Sequence, residues 1–340
     1  MRQETGLKTF KKLPMPLVLC ALLFSALISG CKDRQSSGPQ KNLTPVTLCQ
    51  GGVLTILPLI AHQQGFDAQE GLAITLKNMK DGKLAMDSLV AGECSFSSTG
   101  EPPIVSRSFE HDDFVILASL VSSENATKII ARGDRGIRTA ADLKGRIVGV
   151  RKNTISHFFV DMYLRKNLLA AHDVTLRFFE PKDMPDALAR GEIDAYSGSD
   201  AYILFGEQML GRNAVILSEP GLCYNANYLL AMKTTVDGNP DIVRRLIDAL
   251  LRAEQFYIEN PAKATELVVK ATNGTRAELE PILKDSRFSV RLSQSALITL
   301  EDHARWMIES RQTSRTSIPN YLTFIRREFL QSLKPDAVTL

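Results

Sequence analysis

The sequence predicts a two-lobed α/β protein, each lobe a mainly parallel sheet flanked by helices, and three observations predict it. The first is a duplication. Residues 87–101 read Asp-Ser-Leu-Val-Ala-Gly-Glu-Cys-Ser-Phe-Ser-Ser-Thr-Gly-Glu, and residues 186–200, 99 positions later, read Asp-Ala-Leu-Ala-Arg-Gly-Glu-Ile-Asp-Ala-Tyr-Ser-Gly-Ser-Asp. In each copy a short amphipathic helix stops at a glycine (Gly92, Gly191), a brief strand follows, and small polar residues lead into the next helix. The second is an alternation of strand and helix patterns from Pro45 to Met232, the layout of sheets with right-handed crossovers. The third is a change at Asn239, after which everything reads as helix.

In chain order, Pro45–Leu48 begins the first strand and Cys49-Gln50-Gly51-Gly52 ends it. Thr55 can cap the next helix, where Pro58 sits in a first turn whose N–H groups have no intrahelical partner, and Gly65 ends it. Leu72–Leu76 alternates as a strand, Lys83–Val90 is the helix of the first repeat copy, and Cys94–Ser97 leads into Ser98-Thr99-Gly100-Glu101 and a helix opened by Pro102 and Pro103. After a strand at Phe114–Val121 the pattern restarts. Thr127–Ala131 and Arg146–Val150 read as strands around a helical turn at Thr139–Leu143, and Arg151-Lys152-Asn153-Thr154 precedes a helix that Ser156 caps. Val174–Phe179, the second repeat copy and Ala214–Leu217 complete that part, and Asn227–Met232 returns the chain to the first. Beyond it, Asn239-Pro240 and Asn260-Pro261 each pair a cap with proline at the first helical position, and Thr275–Glu278 is a capping-box pattern. Val243, Ile247 and Leu250, then Leu297, Leu300, Ala304 and Met307, recur at helical spacing and mark core faces.

At 44% apolar and 23% charged residues the chain is ordinary for a globular protein. The formal charge of +3 comes from the first 30 residues, where Arg2, Lys8, Lys11 and Lys12 stand against Glu4, and the remainder is balanced. A nucleic-acid footprint needs a concentrated basic face, so no nucleic-acid partner is expected. A basic start, an apolar run from Leu13 to Ile28 and then Ser29-Gly30-Cys31 form the layout of an export signal, too short for a permanent span of ~20 residues. Ile28-Ser29-Gly30-Cys31 resembles the lipobox of bacterial lipoproteins, which implies a signal peptide over 1–30 and lipidation of Cys31. The polar stretch that follows, 31–44 with its Gly-Pro, reads as a flexible tether holding the globular part off a membrane. Cys49, Cys94 and Cys223 remain, an odd number within or beside apolar segments, and are expected to be buried inert thiols. No metal-ligand spacing appears, and His62, His111, His157, His172 and His303 are scattered without a nucleophile nearby.

Ile60-Ala-His-Gln-Gln-Gly-Phe-Asp-Ala-Gln-Glu-Gly-Leu72 resembles the "A…GFF…EGL" run of the substrate-binding lipoproteins that serve nitrate, sulfonate and taurine importers of the ATP-binding cassette class. Leu143–Val150, the two Ala/Arg-Gly-Glu turns, Asn239-Pro240-Asp-Ile-Val, Asn260-Pro261-Ala and the ending Lys334–Leu340 are similar to later landmarks of that group, in order, over nearly all of the chain after its leader. The resemblance implies the type II periplasmic-binding-protein fold and a monomer that closes two lobes on a small molecule and hands it to a permease, without a cofactor. Lobe 1 is then 45–122 plus 224–340 and lobe 2 the inserted 123–223, with hinge segments at Ser122–Ala126 and Gly221–Asn225.

Ligands bind outside the carboxyl ends of the strands in such sheets, where small residues let a ligand reach backbone N–H groups. The expected contacts are therefore Gln50, Gly51 and Gly52, Ser98 and Thr99, Asn153 and Thr154, and Ser197, Ser199 and Asp200. A pocket rich in N–H and hydroxyl donors suits an oxyanion, which Arg151 could neutralise; Glu101 or Asp200 facing inward would instead call for an amine or a ring N–H, as in taurine or a heterocycle such as a pyrimidine or thiamine precursor. Two other readings stay open. One is a ligand sensor using the same cleft. The other is an enzyme akin to a pyrimidine synthase of this fold, although the cysteine-rich iron-binding run of that enzyme is absent here.

Overall fold

The computed structural model describes residues 42–51, 55–272 and 275–340. Two mixed sheets organise them. The chain enters on β1 (Thr44–Gln50), passes through helices α1 (Ile56–Gln63) and α2 (Phe66–Gln69) to β2 (Leu72–Asn78), and continues through α3 (Gly82–Val90), β3 (Phe96–Thr99), α4 (Glu101–Ser108) and β4 (Phe114–Ser123). It then builds a second sheet: β5 (Thr127–Arg132), β6 (Ile147–Val150), α5 (Ile155–Lys166), β7 (Thr175–Phe178), α6 (Met184–Arg190), β8 (Ala195–Ser199), α7 (Asp200–Leu210) and β9 (Ala214–Leu217). Strand β10 (Asn225–Met232) returns, followed by α8 (Lys233–Gly238), α9 (Pro240–Glu259), α10 (Pro261–Thr272), α11 (Arg276–Asp285), β11 (Arg287–Ser293), α12 (Gln294–Glu309), α13 (Glu328–Leu333) and β12 (Val338–Thr339).

The first sheet has the order β12-β11-β4-β10-β3-β1-β2 and the second β7-β6-β8-β5-β9. Strands joined by helical crossovers pair in parallel, β1 with β2 and β3, and β6 with β7 and β8. Antiparallel pairs arise where the chain travels between the sheets: β10 lies between β3 and β4, and β5 between β8 and β9. Those same strands, β4 running out and β10 running back, are the two crossings, so the inserted sheet hangs from the centre of the first.

Strand β11 departs from the expectation of helix throughout the C-terminal part. Arg287-Phe-Ser-Val-Arg-Leu-Ser293 alternates with period two; Phe288, Val290 and Leu292 are buried while Arg287 and Arg291 keep some exposure, the pattern of a strand with one packed face. The helices around it behave as expected. Val243, Ile247 and Leu250 of α9 are fully buried, as are Leu300 and Ala304 of α12.

The expectation of three inert thiols is corrected as well. Cys49 and Cys94 form a disulfide, with Cα atoms 5.9 Å apart, and Cys223 is the free, buried one. The cause is register: β1 and β3 are neighbours with Cys49 opposite Ser97, and Ser95 N–H donates to Thr47 O, which brings the residue before it beside Cys49. An odd count in the sequence says nothing about which two strands become adjacent.

Candidate functional site

In lobe 1 the ends of β1 and β3 lie side by side, Gln50 opposite Ser98. Gly51 N–H donates to Ser98 O at 2.9 Å, Gln50 Nε2 to Thr55 O at 3.3 Å, and Asn227 Nδ2 to Gly51 O at 3.3 Å. The Ser98 hydroxyl is 3.2 Å from Thr55 Oγ1, so Thr55 spends its side chain on the rim and makes no cap bond to α1. Thr99 is fully buried and its hydroxyl has no hydrogen-bond partner among the described residues. Two glycines permit this closeness. A Cβ at Gly51 would lie 2.3 Å from Asp81 O, and one at Gly82 would lie 2.2 Å from Thr99 Oγ1, so the start of α3 is pressed onto the rim.

In lobe 2 the corresponding ends belong to β6 and β8. Asn153 is exposed with φ 59°, a left-handed conformation that asparagine tolerates, and it turns the chain from β6 into α5. Thr154 stands at the N-cap position of α5 and donates to Arg151 O at 2.7 Å. Ser197 is fully buried with an unpartnered hydroxyl among the described residues, and Ser199 is exposed at the N-cap of α7. Asp200, expected as a ligand contact, already pairs with Lys128, which also holds Asp285 of lobe 1 at 3.1 Å. Burial opposes the charge on Lys128, but the two carboxylates outweigh it and raise its pKa. Gly52 and Cys31 lie outside the described residues.

The rims face each other. Arg151 Nη2 of lobe 2 donates to Asp81 Oδ2 of lobe 1 at 2.8 Å, and Lys80 lies 3.7 Å from Glu180. Burial works against the Asp81 charge, yet Arg151 and the Leu84 N–H hold its carboxyl below the usual range. On the other flank Asn125 Nδ2 donates to Asp285 at 2.9 Å. A third contact joins α5 to α12, where the Trp306 ring lies 5.1 Å from His157 and 5.3 Å from Phe158, with His303 4.8 Å from Phe158. Val121, Ala126, Asn225 and Asn227 enclose a space of about 10 Å³ near the crossings.

Glu101 does not face the gap. It is buried at the start of α4, accepting from Ala226 N–H at 2.8 Å and from the Tyr228 hydroxyl at 3.1 Å. Burial pushes its pKa up to about 7, against the pull of those donors and of its own N–H. The scattered histidines are partly gathered: His157 and His303 share the α5–α12 contact, and neither ring nitrogen of His303 has a partner among the described residues. No group of three or more His, Cys, Asp or Glu among the described residues could hold a metal. Sequence reading missed Asp81, Lys128 and Asn227. Asp81 caps α3, accepting from Leu84 N–H at 2.9 Å; Lys128 and Asn227 sit inside apolar strand patterns where a single polar residue carries no local signal.

Comparison with known proteins bears on the family and the fold. The family model described as "NMT1/THI5 like" matches residues 55–264. A Bacillus subtilis (strain 168) protein named "Putative aliphatic sulfonates-binding protein" is 25% identical over 274 residues, 79% of this chain and 82% of its own. Among solved structures, the periplasmic aliphatic sulphonate binding protein SsuA from Escherichia coli superposes with a TM-score of 0.71 at 18% identity, covering 83% of this chain and 97% of that one. The desulfurization enzyme DSZB superposes with a TM-score of 0.61 at 17% identity, covering 84% and 98%. The fold is that of the periplasmic binding proteins.

Proposed function

The chain belongs to the NMT1/THI5-like family, and from that premise we propose that it is an extracytoplasmic solute receptor for an ATP-binding cassette importer, binding a small sulfonate between its lobes. In this reading lobe 1 is 45–122 with 224–340, lobe 2 is 123–223, and Ser122–Ala126 and Gly221–Asn225 bend between them. The observation that supports this reading is that Arg151 of one sheet's strand end bonds Asp81 beside the other's, and that the buried hydroxyls of Thr99 and Ser197, one at each strand end, have no partner among the described residues. A buried donor without an acceptor costs about 1–3 kcal/mol, so a ligand offering several oxygen acceptors is favoured in just such a place. Gly51, Ser98, Thr99, Asn153, Thr154, Ser197 and Ser199 are the residues assigned to it, with Gln50 and Gly52 beside them. Asp200 enters through Lys128, and Arg151 is the cation that can exchange Asp81 for the anion.

Export is supported by two features. The first 31 residues carry the signal and lipobox pattern, and the Cys49–Cys94 disulfide suits an oxidising compartment. No helix among the described residues is long and apolar enough to cross a membrane, so in this reading attachment falls to a lipid on Cys31. The names of the sulfonate-binding relatives favour a sulfonate over nitrate, taurine or a heterocycle, and binding over catalysis.

The test is a thermal-shift and calorimetric panel of alkanesulfonates, taurine, nitrate, pyrimidines and amino acids on the purified protein. A ligand at 100 times its Kd stabilises by about 2.7 kcal/mol, and we expect that from an alkanesulfonate, with Thr99→Val and Ser197→Ala each weakening it. Stabilisation by pyrimidines alone, or chemical turnover of any panel compound, would replace the proposal.

A further inference from the structure

Strand β11 carries a polar surface of its own. With the first turn of α12 it walls a cavity of about 700 Å³ whose far wall is Ser122–Glu124 and Tyr224, the two chain crossings. None of the residues assigned to the cleft lines it.

Three kinds of donor meet there. Arg291 lines the cavity; among the described residues its buried Nε has no partner and its guanidinium makes no ion pair, while the Ser119 hydroxyl donates to its main-chain oxygen. Ser122 and Ser293, 7% and 9% exposed, also line the cavity. Ser293 is moreover the N-cap of the 16-residue helix α12 and makes no side-chain cap bond; Gln294 and Ser295, whose N–H groups have no intrahelical acceptor at the positive end of the helix dipole, line the same space. Arg287, four residues before Arg291 on the same strand, adds a second cation. Of the acids lining the cavity, Asp285 is held by Lys128 and Asn125, and Glu124 stands at the crossing end. That distribution sets the anion at the α12 end.

We propose that this cavity is a second binding site, taking a small oxyanion (sulfate, phosphate, or the head group of a sulfonate or carboxylate) on Arg291, Ser293 and the first N–H groups of α12. A guanidinium fork, a hydroxyl and convergent backbone N–H groups are the donor set that such anions accept from. The site is independent of the cleft assignment and is tested separately from it.

The experiment is equilibrium dialysis of radiolabelled sulfate and phosphate against the full chain, with ionic strength fixed by sodium chloride. Direct counting avoids the general stabilising effect of these salts on folded proteins. One saturable equivalent is expected that Arg291→Gln weakens about tenfold or more and that the cleft variant Thr99→Val leaves in place. If Arg291→Gln fails to fold, Ser293→Ala supplies the same reading with a smaller loss. Equal binding by the wild type, Arg291→Gln and Ser293→Ala overturns the proposal, as does binding lost with Thr99→Val and kept with Arg291→Gln, or a complete lack of saturable binding.

Discussion

The duplicated stretch places an acid at the same point twice: Glu101 opens α4 in lobe 1 and Asp200 opens α7 in lobe 2. The molecule handles the two in opposite ways. Glu101 is surrounded by neutral donors, the Ala226 N–H and the Tyr228 hydroxyl, and burial lifts its pKa to about 7. Asp200 has a cation, Lys128, which it shares with Asp285 across the lobes. The rims around them differ to match. In lobe 1, Ser98 and Thr99 are fully buried and Cys49–Cys94 ties β1 to the approach of β3; in lobe 2, Asn153 and Ser199 are exposed and no disulfide is present among the described residues. A repeated sequence motif thus fixes where a loop lies and leaves its rigidity to be decided by what packs on it. In this structure one rim is a buried, cross-linked wall, and the other mixes the buried Ser197 with the exposed Asn153 and Ser199.

That contrast can be broken from either side. The largest effect is expected from Lys128→Met, which leaves Asp200 and Asp285 half-buried without their cation. Removing one partner of such a cluster costs about 3–5 kcal/mol, and denaturant unfolding would show it as a lower midpoint. Next is the fixed wall. Cys94→Ser should cost about 2–4 kcal/mol in the same assay, in line with a cross-link closing 45 residues of chain.

Glu101→Gln tests the neutral acid and carries a definite sign. A carboxyl raised from its ordinary 4.5 to about 7 contributes stability that is present in full below 4.5 and lost as pH rises through 7, an amount on the order of 3 kcal/mol. The glutamine variant should therefore lose that slope, matching the wild type near pH 4.5 and exceeding it at pH 8 in thermal melts. A parallel pH slope in the variant would show that the carboxyl is not the source. The smallest effect belongs to Arg151→Gln. The Arg151–Asp81 pair is partly exposed, so about 0.5–1 kcal/mol is at stake. We expect a shift of about two- to fivefold toward open lobes, read by energy transfer between dyes on the two lobes.

Much of this architecture was legible because it is written in local periodicity. The strands from β1 to β10, the helix openings at Pro240 and Pro261 and the Gly92 and Gly191 stops all follow from patterns within a few residues. What escaped were facts of adjacency. The Cys49–Cys94 pair needs β1 and β3 to be neighbours, and the Lys128, Asp200 and Asp285 cluster needs three segments spread over more than 150 positions to meet. Arg151 illustrates the limit: the sequence offers a cation at the right strand end, and the choice between solvent, ligand and Asp81 is made across the lobe gap. Strand β11 is a different kind of miss. Its alternation is plain in Phe288, Val290 and Leu292, but it is enclosed by helical signals on both sides.

The histidines between α5 and α12 bear on where such a receptor can work. Burial, with Lys152 adding to it at His157, lowers that imidazole to about 4, and burial lowers His303 to about 3. Rings held neutral in this way support the contact in full above pH 6.5 and withdraw their support as acidity increases toward those values. Acid should therefore weaken the α5–α12 contact, and replacing His303 with phenylalanine should make lobe closure less sensitive to low pH, read by the same energy transfer. In the proposed receptor role, the acidity of the surroundings then joins the solute's own contacts in setting how long a captured molecule stays.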